Sequence, residues 1–129
     1  MDSKYALGIA ELDSQHIEIE TLFIALEASL EDKKGWHTLL ESLCEKLRFH
    51  FYAEESIMRI FAYPEAQEHK NSHLKILESL ESQKNNRLTK ADVQKLRDQP
   101  MQLFFDQILS QDMRFAAFIT RNKERMGVA

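Results

Sequence analysis

The stretch WHTLLESLCEKLRFHFYAEESIMRIF, residues 36–61, decides the fold. Within it Trp36, Leu40, Leu43, Leu47, His50, Glu54, Ile57 and Phe61 recur at intervals of 4, 3, 4, 3, 4, 3 and 4. On an α-helix such positions form one narrow stripe, the seam by which the helix packs in a bundle, whereas a strand would need a period of two. Two members of the seam, His50 and Glu54, are polar, so the seam carries chemistry as well as packing.

Working outward, Leu12, His16, Ile19, Phe23, Leu26 and Leu30 give a first helix over about 12–31 with the same alternation of 4 and 3. Asp32, Lys33, Lys34 and Gly35 read as the turn between the two. Tyr63-Pro64 breaks the chain again, because proline disfavours a helical residue before it and suits the first turn of a new helix. Ala66, His69, His73, Ile76 and Leu80 then mark a third helix, closed by the polar stretch 83–87. Thr89 with Asp92 resembles a helix cap opening a short segment to Asp98, and Pro100 either kinks that segment or begins the last helix. Phe105, Ile108, Asp112, Phe115 and Ile119 form the last stripe, in a helix running to about Arg125. The expected fold is all-α, an antiparallel up-down-up-down four-helix bundle joined by short links.

Composition agrees. The 129 residues contain three Gly and two Pro, too few for the turns of an all-β fold. The length suits one domain over 1–129, with a core that buries about two thirds of the unfolded surface. One Cys, Cys44, excludes an internal disulfide and suits a reducing compartment, so the cytoplasm is the expected location. Lys and Arg number 17 against 21 Asp and Glu, a net charge of −4 with no basic patch, so nucleic acid is not an expected partner. No signal-like run and no span of 18 successive apolar residues point to a membrane.

Six polar residues on the packing faces need partners, since burying such groups alone costs several kcal/mol: His16, His50, Glu54, His69, His73 and Asp112. Residues four apart share a helix face, which pairs His50 with Glu54 and His69 with His73. In an up-down-up arrangement His16, the end of the second helix and the start of the third lie at the same level. Imidazole and carboxylate suit Fe, Zn, Cu or Mn, and the lack of clustered Cys argues against thiolate sites. Six ligands exceed what one tetrahedral zinc uses. Two ions bridged by Glu54 and Asp112 use them economically.

The segments Gly8-Ile9 with Asp13-Ser14-Gln15-His16, His50-Phe51-Tyr52-Ala53-Glu54-Glu55 with Met58, Tyr63-Pro64, His69-Lys70-Asn71-Ser72-His73, and Asp112 with Phe115 resemble the bacterial hemerythrins. The resemblance covers nearly the whole chain. It implies a non-haem di-iron protein that binds O2 reversibly, with two Fe ions joined by an oxo or hydroxo bridge. By matching positions, His16 and His50 hold the iron that takes up O2 or another small diatomic or anionic ligand, His69 and His73 hold the other, and Glu54 and Asp112 bridge them. The same matching lines the O2 pocket with Ile19, Phe51, Leu103, Phe105 and Ile108; Leu103 stands where the family has Trp. One position departs: the family carries a fifth His five residues before the bridging Asp, and here that residue is Gln107. Gln107 is then a weak ligand, a group orienting a bound water, or a sign of a centre turned away from O2 carriage.

The resemblance implies a carrier, store or sensor rather than an enzyme. The competing readings are a di-iron oxidase or peroxidase-like enzyme, and a helical interaction module that has lost its metal. Glu54→Ala is expected to abolish assembly of the centre and lower thermal stability, because a bridge serves both ions and metal binding is linked to folding; metal retained at two per chain would remove the bridging role. Glu55, about 100° off the seam, is expected to be dispensable.

Overall fold

The computed structural model describes residues 1–29, 31–85 and 89–125, with side chains to Lys123, and among these the regular structure is helical with no strand. Helices α1 (Ala10–Ala28), α2 (Lys33–Ile60) and α3 (Ala66–Glu81) are the first three arms. The fourth arm is one continuous helical run: α4 (Lys90–Leu96), a π turn (Arg97–Met101), α5 (Gln102–Gln107), a second π turn (Ile108–Asp112) and α6 (Met113–Arg125). Leu30, which ends the first expected stripe, and residues 86–88 of the polar link lie outside the described residues.

Cross-helix contacts establish the directions. Between α1 and α2, Glu18 meets Lys46 and Gln15 meets His50; between α2 and α3, Arg48 meets Glu81 and Glu55 meets His73. Ser72 meets Gln111 and Glu65 meets Arg114 between α3 and the fourth arm, while Glu27 of α1 meets Arg97. For each pair of neighbours one number rises as the other falls, the first and fourth arms included once His16 opposite Asp112 is set beside Glu27 opposite Arg97, so the four arms alternate up and down and the fourth closes against the first.

Apolar side chains on the expected stripes fill the middle. Ile19, Phe23, Leu26, Trp36, Leu40, Leu43, Leu47, Ile76, Leu80 and Phe104 belong to one buried cluster, and Leu12, Met58, Tyr63, Phe115 and Ile119 to a second. The polar residues of the seams lie between them in sequence. Asp32 caps α2 by accepting from the Gly35 amide, so the expected turn at 32–35 mostly belongs to the first turn of α2. A side chain at 35 would collide with the Asp32 carboxylate. Thr89 and Asp92 form the reciprocal cap expected of them.

Pro100 neither stops nor starts a helix. Proline lacks an amide hydrogen and its ring crowds the carbonyl four residues back. The wider turn absorbs both defects: the Gln102 amide reaches back five residues to the Arg97 carbonyl, and the helix continues through the proline. The short segment and the last helix, read separately from sequence, are therefore one arm.

The corner between α2 and α3 is closed by backbone alone. The Ala62 amide donates to the Arg59 carbonyl and the Tyr63 amide to the Met58 carbonyl, while Tyr63 and Met58 pack in the same cluster. This motif holds Ala62 at φ 52°, a left-handed conformation in which a Cβ is strained. Ala62→Gly should raise stability by about 0.5–1 kcal/mol, read as a higher denaturation midpoint with unchanged slope.

Candidate metal centre

The helices deliver the six polar residues to one level of the bundle. His16 comes from α1, His50 and Glu54 from α2, His69 and His73 from α3, and Asp112 from the second π turn, and none is more than 1% exposed. Glu54, His69, His73 and Asp112 form one group of ligand-type atoms, and His16, His50 and Glu54 another, the atoms within each lying no more than 4.8 Å apart.

The carboxylates straddle these groups. Glu54 points Oε1 at His73 Nε2, 3.0 Å away, and at His69 Nε2, 3.7 Å away, while its Oε2 lies 3.5 Å from His50 Nε2. Asp112 points Oδ1 at His69 Nε2, 2.8 Å away, and Oδ2 at His16 Nε2, 3.4 Å away. Several of these atoms meet without hydrogen-bond alignment. Glu54 Oε2, Asp112 Oδ1 and His69 Nε2 are buried with no hydrogen-bond partner among the described residues. Buried polar atoms left this way are costly, and a cation between them satisfies all three, so the residues fit a metal.

Aromatic rings hold the imidazoles in place. Phe51 stacks on His73 at 3.9 Å between centroids and 12° between planes, Phe104 meets His16 edge-on at 5.5 Å, and Phe115 meets His69 at 5.8 Å. Two of the four imidazoles are also held from behind: Gln15 Oε1 lies 2.5 Å from His50 Nδ1, and Glu55 Oε2 lies 2.8 Å from His73 Nδ1. The sequence reading missed both contacts, Glu55 having been set aside there as off the seam. A residue 100° off the seam faces the neighbouring helix rather than solvent, and the second Glu of His50-Phe51-Tyr52-Ala53-Glu54-Glu55 was the available signal.

Gln107 is buried, and neither its amide oxygen nor its nitrogen has a hydrogen-bond partner among the described residues. Five residues apart on a regular α-helix, Gln107 and Asp112 would face directions about 140° apart. The second π turn, in which the Met113 amide reaches back to the Ile108 carbonyl, lets both be buried.

The same turn corrects part of the pocket reading. An i+5 turn holds about one residue more than an α turn, which moves the inward position before it from Phe105 to Phe104. Ile19, Phe51 and Ile108 are buried as expected. Leu103 is 37% exposed, and Phe105 is half-buried with its ring 4.9 Å from Tyr5. Phe104, unmarked in the sequence reading, supplies the ring beside His16.

Burial sets the charge states. Desolvation, aided by His16, His73 and His69, pushes His50 down to about 2, and desolvation also lowers His16 and His73, the latter against the Glu55 hydrogen bond. These imidazoles are therefore neutral, with lone pairs free for a cation. Desolvation, reinforced by Asp112, raises Glu54 well above the carboxylate range. A histidine lowered by folding binds its proton better when unfolded, so its stability contribution is complete above about 6.5 and falls on acidification; a raised carboxyl acts oppositely, costing stability as pH rises above about 4.5. Three imidazoles outweigh one carboxyl. The melting temperature of metal-free protein should fall as the pH drops from about 6.5 to 5, and a flat or rising profile over that interval would contradict these charge states.

Among the described residues no helix is long and apolar enough to cross a membrane. Neither curated proteins nor solved structures gave a match. The family described as Hemerythrin HHE cation binding domain matches residues 7–119. That span contains the whole His, Glu and Asp cluster, and the chain belongs to the hemerythrin HHE cation-binding family.

Proposed function

We propose that the chain binds two iron ions and uses them to take up O2, or another small diatomic or anionic ligand, reversibly and without turnover, as a carrier, store or sensor in the cytoplasm. The observation that carries this reading is the straddling of Glu54 and Asp112, each with one oxygen toward His16 or His50 and the other toward His69 or His73. His16 and His50 would hold one iron and His69 and His73 the other, with the carboxylates between them. A bound iron pair supplies reversible redox coordination of a small ligand. The protein supplies neutral imidazoles and an apolar wall of Ile19, Phe51, Phe104 and Ile108 that keeps water away.

A metal-free interaction module is disfavoured by the orphaned buried atoms of the cluster, which nothing in such a module would satisfy. The enzyme reading has one observation behind it, the amide of Gln107 where an imidazole would bind iron more firmly. Elemental analysis after iron-replete expression should find two iron per chain, with an absorption band in air that bleaches on reduction and returns with O2. None or one iron per chain would overturn the proposal, and sustained catalytic consumption of peroxide would favour the enzyme. Gln107→His should slow iron loss to a chelator and lengthen the life of the O2 adduct, and Gln107→Ala should do the reverse modestly. Faster iron loss in Gln107→His would mean that the π turn is built around the amide.

A further inference from the structure

Resting on the two-cation reading, we infer that Glu55 and Gln15 make the two positions unequal, the carboxylate behind His73 strengthening the site at His69 and His73 and the amide behind His50 leaving the site at His16 and His50 the weaker one. In both histidines Nε2 faces the bridging carboxylate, Glu54, so Nδ1 is the outer nitrogen and carries the hydrogen. His73 Nδ1–H donates to the Glu55 carboxylate at 2.8 Å, a charge-assisted bond, while His50 Nδ1–H donates to the neutral amide oxygen of Gln15. A carboxylate drawing on one N–H makes the opposite nitrogen a stronger donor to a cation, whereas an amide fixes the ring's tautomer and adds little charge.

Three further observations isolate this effect. Glu55 has no other ionic partner among the described residues, so no Lys or Arg neutralises it. His16 Nδ1 and His69 Nδ1 have no hydrogen-bond partner among the described residues, which leaves His73 as the one imidazole of the four whose Nδ1 is hydrogen-bonded to a carboxylate among those residues. The Phe51 stack fixes the plane of the His73 ring, and the Glu55 hydrogen bond fixes which nitrogen faces outward within that plane. Glu55 and Gln15 are thus positioning residues that act through His73 and His50.

The full chain, saturated with Co2+, is equilibrated against chelator buffers of decreasing free Co2+, with occupancy read by elemental analysis and by the d–d absorption of each site. The parent should release its two equivalents in two resolved steps. Glu55→Gln, nearly isosteric and still hydrogen-bonding, should weaken the tighter step about 10- to 100-fold and leave the other within about threefold. Gln15→Glu, the reciprocal change, should tighten the weaker step and narrow the gap. Unchanged constants in both variants, or equal weakening of both steps in Glu55→Gln, would overturn the inequality. A parent that binds fewer than two Co2+ would instead overturn the two-cation reading, a failure visible in the stoichiometry before any variant is made.

Discussion

The bundle is organised around an electrostatic debt. Glu54 and Asp112 place carboxylates in an interior that also receives four imidazoles, and none of the six residues is more than 1% exposed. Charges in such a place are tolerated when they are paired or coordinated. Without a cation burial offsets part of the cost by disfavouring the charged forms of four of the six, lowering His16, His50 and His73 and raising Glu54. The resulting arrangement converges the Nε2 atoms of four imidazoles and the oxygens of both carboxylates on one place. That makes it a receptor for a positive ion and a poor substitute for an apolar core.

Everything else in the fold serves to keep those side chains at one level. Antiparallel helices joined by short links bring the start of α1, the end of α2 and the start of α3 to the same end of the bundle. The corner at Ala62 and Tyr63 fixes how far α3 is displaced from α2, and with it the approach of His73 to Glu54. Apolar packing on both sides of the cluster gives the helices a unique register, and aromatic rings against His16, His69 and His73 remove the freedom those imidazoles would otherwise have. Interiors packed this closely transmit small displacements, so the precision of the site depends on residues well away from it.

The fourth arm shows how a local defect becomes useful. Its first π turn accommodates Pro100, and its second re-phases the helix so that Gln107, Ile108 and Asp112 are all buried. π turns inside α-helices are often found at functional sites because they place on one face residues that a regular helix would separate. Here the consequence is a buried amide, Gln107, on the same arm as Asp112, and a phenyl ring, Phe104, against His16.

The alternation of threes and fours, the polar members of each seam and the pairs His50/Glu54 and His69/His73 were all legible in the sequence, because helix geometry is local and periodic. Short links then dictated antiparallel neighbours, so the level at which the seam residues meet could be read without coordinates. The outer partners were decided only in three dimensions. Gln15 and Glu55 lie off their own seams, and their contacts with His50 and His73 depend on the rotation of a neighbouring helix. The inward placement of Phe104 and the outward turn of Leu103 were hidden for a related reason. A single wider turn shifts the phase of everything before it, and the 3,4 spacing of apolar residues carries no mark of where a helix takes up the extra residue.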